Sequence, residues 1–189
     1  QIKAARAALH HWEEPCISGT RGSGAIFFSG CTLRCCFCQN YRISSAAYGK
    51  EISEQKLARI FLELQNQGAH NINLVTATQY LPSILNALDL VKNQLKIPIV
   101  YNSSGYEKPE TIRLLKGYVD IYLPDLKYFS SELSRKYSKA EDYFEIASCA
   151  IKLMIEQTGA PVFDSDGMLQ KGVIIRHLVL PNCRKDSIT

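Results

Sequence analysis

The chain has 189 residues, of which 46% are hydrophobic and 21% charged, and its formal net charge is +4. This is enough apolar material for the core of one globular domain, and the apolar runs are too short to predict a membrane span or a secretory leader. The lysines and arginines are dispersed along the sequence, which argues against a nucleic-acid partner.

The cysteines are unevenly distributed. Seven are present, and four of them fall within the eight residues from Cys31 to Cys38. An odd, clustered set suits a reducing cytoplasm better than a disulfide framework, so we predict a cytoplasmic protein. The other three are expected to be ordinary small residues of the core or the surface: Cys16, Cys149 and Cys183.

Short apolar runs alternate along the chain with segments that have helical periodicity. The apolar runs predict five strands, at Gly24–Gly30, Asn71–Thr76, Ile97–Tyr101, Val119–Leu123 and Val173–Leu180. Steady alternation of strand and helix is typical of parallel βαβ units whose apolar strands are covered on both faces. The sequence therefore predicts an α/β fold.

Five helices are predicted between these strands. Ser53 is placed to cap the first, which Gly68 ends, and Pro82 is placed at the start of the second, which runs to Val91. Asp164–Gly167 is a hairpin-type turn signal before the last strand. The remaining helices are Glu107–Lys116, Ser130–Ser138 and a longer one with Phe144, Ala147, Ile151, Met154 and Ile155 on one side.

The C-x3-C-x2-C spacing of Cys31, Cys35 and Cys38 places three thiols in one loop after the first predicted strand. That end of a strand is where barrel enzymes carry their chemistry. A tetrahedral zinc site needs four ligands, and so do the four irons of a 4Fe-4S cluster. Three thiolates therefore favour a cluster with one open iron. A zinc site completed by a distant cysteine and a buried turn without metal are the alternatives.

This spacing, with Phe37 before the last cysteine, resembles the radical S-adenosylmethionine (SAM) superfamily, in which the SAM amino and carboxylate groups chelate the open iron. Further segments resemble the pyruvate formate-lyase activating enzyme family, most closely its PflX-like branch. These segments are Glu13–Gly19, Cys38–Tyr41, Asp125–Lys127 and Ile175–Pro181.

The resemblance implies a partial (β/α)6 barrel, a 4Fe-4S cluster, and reductive cleavage of SAM to methionine and a 5′-deoxyadenosyl radical. We expect one radical SAM domain over residues 1–189, with an N-terminal extension at about 1–23 and a barrel at 24–189. Because the family continues into a sixth βα unit, we expect a barrel truncated after its fifth strand, which would leave that strand with an unpaired edge.

The resemblance also implies site residues. Cys31, Cys35 and Cys38 are the expected cluster ligands, whereas Cys36 is out of register. Phe37 is expected against the adenine, and Asp125 and Lys127 near SAM and its carboxylate. Arg176 is expected to face inward, either to contact SAM or another anion or as a buried structural residue. The expected cofactor-binding set is Phe37, Thr76, Thr78, Asn102, Ser103, Asp125, Lys127 and Arg176.

Three positions depart from the family pattern. Thr76–Tyr80 replaces a Gly-Gly-Glu-type turn that meets the SAM amino group, although its side-chain oxygens can accept from an ammonium. Asn102 replaces an aspartate near a monovalent cation, which puts that cation site in doubt. Asn182 replaces a glycine, and asparagine tolerates a left-handed backbone. Asn40 matches a family asparagine or caps the next segment, and His177 is expected to be structural.

The function implied by the resemblance is removal of hydrogen from a glycine Cα of a partner protein, which generates a glycyl-radical enzyme. A reductant such as flavodoxin or ferredoxin is expected, with neither nucleic acid nor membrane as partner. Beyond the cluster and SAM, no catalytic residue is predicted. The alternatives are radical modification of another substrate, and an iron-sulfur or zinc-binding module that does not cleave SAM.

Overall fold

The computed structural model describes residues 1–188 and contains one eight-stranded sheet. The strands lie in the order β3-β1-β2-β4-β5-β6-β8-β7. Their bounds are β1 Ile2–His10, β2 Ser23–Phe28, β3 Lys50–Ile52, β4 Ile72–Val75, β5 Ile99–Ser103, β6 Ile121–Pro124, β7 Val162–Phe163 and β8 Leu169–Val173.

The helices follow the predicted positions closely. Ser53 caps α3, because its hydroxyl accepts from the amide of Lys56 at 3.2 Å. A 3₁₀ turn at Thr78–Tyr80 leads into α4. The helices are α1 Pro15–Ser18, α2 Tyr41–Ser44, α3 Glu54–Asn66, α4 Leu81–Val91, α5 Pro109–Leu114, α6 Ser131–Ser138, α7 Tyr143–Thr158 and α8 Arg184–Ser187.

Five strands form the parallel part of the sheet: β2, β4, β5, β6 and β8 are neighbours in chain order. Antiparallel strands flank them, with β1 and β3 on one side and β7 on the other. The α/β prediction is confirmed. Since the parallel strands share one direction, their carboxyl ends meet at one edge of the sheet, which we call the carboxyl edge.

The sheet has two different faces. One, the helix face, packs against α3, α4, α5 and α7, and its strand residues include Leu74, Tyr101 and Tyr122. The opposite, inner face carries a smaller apolar cluster in which Val100 and Leu123 contact Ile17 of α1. Because successive strand residues point to opposite faces, sequence parity decides which polar residues reach the inner face.

The predicted fifth strand was placed wrongly. The strand is Leu169–Val173, and beyond it the chain keeps only an isolated parallel bridge between Asp125 and Arg176. Three apolar side chains of the predicted strand are exposed instead: Ile175, Leu178 and Val179. β7 pairs with β8 through the predicted turn, so the expectation of an unpaired edge was also wrong along this strand.

Two further elements differ from the prediction. β1 lies within the predicted N-terminal extension yet forms a full strand of the sheet, next to β2. On α7, Phe144 and Ile155 are exposed, whereas Ala147, Ile151 and Met154 are buried as expected. Within residues 1–188, no helix is both long enough and apolar enough to cross a membrane.

Candidate functional site

The cysteine loop, residues 31–38, lies against the C-terminal end of α6. The amide of Arg34 donates to the carbonyl of Ser138 at 3.2 Å, and the amide of Cys36 donates to the carbonyl of Tyr137 at 2.8 Å. These carbonyls belong to the last turn of α6, where backbone acceptors lack partners within the helix. The loop therefore satisfies the helix end while the helix fixes the loop.

The three predicted ligands are partly buried, whereas Cys36 is exposed. The Ser138 hydroxyl donates to Cys35 Sγ at 2.8 Å, and Cys38 Sγ lies 3.3 Å from the hydroxyl of Ser44. The exposure of Cys36 agrees with its position out of register. Its exclusion from the ligand set stays a prediction.

Burial raises the pKa of the Cys31 and Cys35 thiols. Cys38 raises both pKa values further, and the Lys127 ammonium lowers them. Packing agrees with this, because Cys31 and Cys35 contact the same apolar cluster as Leu126, the neighbour of Lys127 in sequence. The loop thus carries three thiol sulfurs, and when a metal displaces their protons they become the soft thiolate donors that a 4Fe-4S cluster requires.

Within residues 1–188, no three His, Cys, Asp or Glu side chains are arranged to hold a single metal ion. In a 4Fe-4S cluster each thiolate binds a different iron, so the ligand set is wider than that around one ion. The three-thiol ligand set of Cys31, Cys35 and Cys38 stays a prediction.

Phe37 is partly buried in an apolar cluster with Leu33, Tyr128 and Tyr143. Cys31 and Cys35 pack against the same cluster, so Phe37 and two of the thiols border one apolar surface. This packing fixes the Phe37 ring within the cysteine loop. The predicted contact between Phe37 and adenine stays a prediction.

Arg176 is the centre of an ion network on the inner face. Its guanidinium donates to Asp125 Oδ1 at 2.9 Å, to Asn102 Oδ1 at 2.7 Å and to Glu13 Oε2 at 3.3 Å. Arg176 points inward, as the alternation predicts, while Ile175 on the other face is exposed. The structure thus brings together three of the predicted SAM-site residues: Asn102, Asp125 and Arg176.

Lys127 extends this network toward the cysteine loop. Its ammonium forms an ion pair with Asp125 Oδ2, and it also lies near enough to Cys31 and Cys35 to lower their pKa values. Asp125 therefore bridges two cations, Arg176 on the inner face and Lys127 beside the thiols. The Asp125–Lys127 ion pair therefore lies between the sheet edge and the cysteine loop.

The backbone around Asp125 is fixed by two unusual contacts. Gly105 has φ +77°, and a Cβ there would lie 2.1 Å from the carbonyl oxygen of Asp125, so only glycine fits. The Tyr143 hydroxyl contacts the carbonyls of Ser104 and Asp125 at 2.8 and 2.9 Å and accepts from the amide of Lys127 at 3.0 Å. The ends of β5 and β6 are thereby held together.

Sequence reasoning gave no role to three polar residues of the inner face. Glu13 accepts from Arg176, and burial raises its pKa although the guanidinium opposes this. Asn73 is fully buried and neither atom of its amide has a hydrogen-bond partner, and the same holds for Glu14 Oε2. The alternation Asn71-Ile72-Asn73-Leu74 was the available signal, because it places polar side chains on one face of a buried strand.

Two predicted site residues lie in a different cluster, on the helix face. Thr78 Oγ1 donates to Glu107 Oε1 at 2.7 Å and lies 2.8 Å from the hydroxyl of Tyr101. Ser103 accepts from the amide of Gly105 at 3.2 Å. The Asp125 amide donates to the Ser103 carbonyl at 3.0 Å, but no side-chain hydrogen bond joins Thr78 or Ser103 to the Asp125 carboxylate among the described residues. Burial raises the pKa of Glu107 to about 7, and its Oε2 has no partner.

The turn at Thr76–Tyr80 is engaged by the protein itself. The Gln79 amide donates to the carbonyls of Ser29 and Thr76, at 2.8 and 2.9 Å, which ties the turn to the end of β2. Thr76 has φ +56°, a left-handed conformation that is a genuine outlier for a β-branched residue. The turn keeps a backbone suited to glycine although it contains none.

Three smaller predictions can be compared with the structure. Asn182 has φ +61°, so the expected left-handed turn is confirmed. Asn40 caps α2 through its carbonyl, which accepts from Ile43 and Ser44, and not through its side chain. His177 Nδ1 lies 2.6 Å from the carbonyl of Leu126, a structural contact.

A family model described as the Radical SAM superfamily matches residues 25–164. The chain is 36% identical over 169 residues to the uncharacterized protein MJ0674 of Methanocaldococcus jannaschii, which covers 85% of this chain and 45% of that protein.

In structure the chain is similar to SuiB of Streptococcus suis, both in the crystal structure bound to the precursor peptide SuiA and in the one bound to S-adenosylmethionine. Each comparison has a TM-score of 0.57 and 18% identity, and covers 84% of this chain and 33% or 34% of SuiB. At this identity the likeness is one of fold. The chain spans less than half the length of the proteins it matches.

Proposed function

Because the chain belongs to the radical SAM superfamily, whose cofactors are a 4Fe-4S cluster and SAM, we propose that it forms the catalytic unit of an enzyme that cleaves SAM reductively. The observation that carries the proposal is the junction at the carboxyl edge, where Cys31 and Cys35 pack against the same apolar cluster as Leu126, the residue between the paired Asp125 and Lys127. When bound, the reduced cluster supplies one electron to the SAM sulfonium, which yields methionine and a 5′-deoxyadenosyl radical that takes a hydrogen atom from the substrate.

The chain's own residues would bind and orient the reactants. Cys31, Cys35 and Cys38 would hold three irons and leave the fourth open. Lys127, whose partly buried ammonium pairs with Asp125, would bind the SAM carboxylate. A charge-assisted contact of this kind contributes about 1.5–3 kcal/mol. Phe37 would provide an apolar surface for the adenine ring.

The inner-face network would set the electrostatics next to this site. Arg176 pairs with Glu13, Glu14 and Asp125, and Lys127 pairs with Asp125, so two cations face three carboxylates. Such a preorganised arrangement costs no reorientation during reaction.

For the substrate, we propose the chemistry of the pyruvate formate-lyase activating enzyme family, in its PflX-like branch: removal of hydrogen from a glycine Cα of a partner protein. The support is the set of motifs at Glu13–Gly19, Asp125–Lys127 and Ile175–Pro181. A flavodoxin or ferredoxin in the cytoplasm would deliver the electron. The peptide complex of SuiB concerns that enzyme and adds only a shared fold.

The test is anaerobic reconstitution with iron and sulfide, followed by an assay for 5′-deoxyadenosine after reduction and addition of SAM. We expect product from the wild type, and loss of iron, sulfide and product in Cys31→Ser, Cys35→Ser and Cys38→Ser. Cys36→Ser is the matched control and should keep the cluster. Equal loss in Cys36→Ser would refute the ligand assignment, and zinc in place of iron would refute the proposal.

A second function is favoured by the Thr76–Tyr80 turn. Thr78 already donates to Glu107, and Gln79 already donates to backbone carbonyls. These side chains, which stand where the family's turn meets the SAM amino group, therefore already have hydrogen-bond partners within the protein. A cluster-binding module that does not cleave SAM fits this observation. The same assay separates the two functions, because the module would assemble iron and sulfide without forming 5′-deoxyadenosine.

A further inference from the structure

Two buried hydroxyl groups form a chain that ends on one thiol of the cysteine loop. The Ser138 hydroxyl donates to Cys35 Sγ at 2.8 Å, and the Tyr128 hydroxyl lies 2.6 Å from Ser138 Oγ. A serine hydroxyl has one proton, so Tyr128 must be the donor to Ser138. Both residues are only 1% exposed. The direction of the chain is therefore fixed from Tyr128 through Ser138 to the sulfur.

Two of the three thiols contact a hydroxyl group, and the two contacts differ. Cys38 Sγ lies 3.3 Å from the Ser44 hydroxyl, and either atom can be the donor in that contact. The contact on Cys35 is shorter and its donor is defined by the neighbouring phenol. Of the two hydroxyl contacts on the thiols, the one on Cys35 is thus the stronger and the better oriented.

A hydroxyl that donates to a metal-bound thiolate acts on the charge of the sulfur. Reduction of a cluster adds a negative charge that is spread partly over its ligand sulfurs, so a fixed donor stabilises the reduced state more than the oxidised state. Burial strengthens this effect because water does not screen the hydrogen bond, and a second donor polarises the first.

We propose that Ser138 is a positioning residue that raises the reduction potential of the cluster held by the cysteine loop, and that Tyr128 orients its hydroxyl. The inference rests on the proposed function, since it requires that Cys35 ligates the cluster. It adds a role for the last turn of α6, where the same serine also accepts the amide of Arg34 through its carbonyl. The carbonyl anchors the loop, while the hydroxyl acts on the sulfur.

The experiment is a potentiometric titration of the reconstituted protein without SAM, followed by electron paramagnetic resonance of the reduced cluster. In Ser138→Ala we expect about a tenfold fall in the reduced-to-oxidised ratio at fixed potential, which is about 59 mV for one electron. Tyr128→Phe should shift the ratio in the same direction by a smaller factor. Ser138→Thr keeps the hydroxyl and should return the potential toward that of the wild type.

Ser134→Ala is the matched control. Ser134 is a serine of the same helix and is also 1% exposed, but its hydroxyl donates to the carbonyl of Ser131. It should leave the potential unchanged. Iron and sulfide content must be equal across the variants, and if Ser138→Ala loses the cluster, Tyr128→Phe and Ser138→Thr give the result.

The named outcomes separate the two proposals. An unchanged potential in Ser138→Ala, or an equal shift in Ser134→Ala, overturns the role of Ser138 and leaves the proposed function standing. If Ser138→Ala loses the cluster, an unchanged potential in Tyr128→Phe overturns that role in the same way. Failure of the wild type to assemble any cluster overturns both.

Discussion

The carboxyl edge of the sheet carries two polar clusters that lie on opposite faces. On the inner face, Asp125 and Arg176 form ion pairs, and the network extends through Lys127 to the cysteine loop. On the helix face, Glu107 is 2% exposed and hydrogen-bonded to Thr78 without a cation in that contact. Both clusters lie at the carboxyl ends of the parallel strands. Only the inner cluster extends, through Lys127, toward the cysteine loop.

The difference shows that a polar residue at a strand end is not by itself a site residue. Asn102 and Ser103 are adjacent in sequence, but Asn102 accepts from Arg176 on the inner face while Ser103 points to the helix face. The electrostatics differ accordingly. Burial raises the pKa of Glu13 in the inner cluster, but the Arg176 guanidinium opposes it, whereas no cation opposes burial at Glu107, whose pKa rises to about 7.

The largest effect is expected on the helix face, at Glu107. Its pKa rises from 4.5 to about 7 on folding, so below pH 4.5 both states are protonated and the stability does not depend on the ionisation of this group. Between pH 4.5 and 7 only the unfolded state ionises, and the free energy of unfolding falls by about 3 kcal/mol in total. Above pH 7 the loss is constant.

Glu107→Gln should remove this component, so its free energy of unfolding, relative to wild type, should increase between pH 4.5 and 7. Urea denaturation at a series of pH values measures this difference. Glu110→Gln is the matched control, because Glu110 lies three residues away with an exposed side chain. A difference that stays flat with pH would mean that Glu107 ionises normally and that the two clusters do not differ as described.

Arg176→Ala tests the inner cluster by leaving Glu13 and Asp125 without their shared cation. We expect a loss of about 2–3 kcal/mol in the free energy of unfolding, below the full value for a buried pair because the side chain is 29% exposed. Arg176→Lys should recover part of the loss, since lysine keeps the charge without the planar fork.

Thermal or urea unfolding at pH 7 measures the effect of Arg176→Ala. The control is Arg59→Ala, which removes an exposed arginine of α3 and should change stability by less than about 0.5 kcal/mol. Equal losses in the two variants would remove the distinction between the inner network and ordinary surface charge.

Lys127→Ala tests whether the inner cluster contributes to SAM binding. The variant should bind SAM about tenfold more weakly, or more, because the ammonium beside the thiols is lost, while iron and sulfide content stays unchanged. Titration of the reconstituted protein with SAM measures the affinity. Lys152→Ala, on the exposed side of α7, is the control. Unchanged affinity in Lys127→Ala would leave Asp125–Lys127 as a structural pair.

The smallest effect is expected at the turn between the two clusters. Thr76→Gly should stabilise the protein by about 0.5–1 kcal/mol, because glycine adopts φ +56° without the strain of a branched side chain, although it gains entropy in the unfolded state. Thr20→Gly, at an exposed position where the chain has no left-handed requirement, should destabilise slightly. Destabilisation in both would show that Thr76 is not strained.

The sequence predicted the parallel strands well where local pattern and burial agree. The apolar runs at Gly24–Gly30 and Asn71–Thr76 became β2 and β4, and the turn at Asp164–Gly167 became a hairpin. The cysteine loop and the Asp125–Lys127 motif, both singled out from the sequence, border one apolar cluster in the structure, while their role as a cofactor site stays a prediction.

Other parts could not be predicted because partners distant in sequence decide them. β1 is rich in alanine, a poor strand former, and it is a strand because β2 and β3 pair with it. β8 has a weaker strand composition than Val173–Leu180, but β6 and β7 fix its position. Glu13 reaches Arg176 across 163 residues, a contact that no local pattern contains.

Tyr143 is the first residue of α7, and its single oxygen contacts the backbone of Ser104, Asp125 and Lys127. The amide proton of Lys127 can therefore exchange with solvent only when this phenol is withdrawn, which requires the start of α7 to move. Hydrogen exchange at that one amide would report on the docking of a helix that covers the opposite face of the sheet. A partner that binds α7 would accordingly be detected at the Asp125–Lys127 pair without touching it.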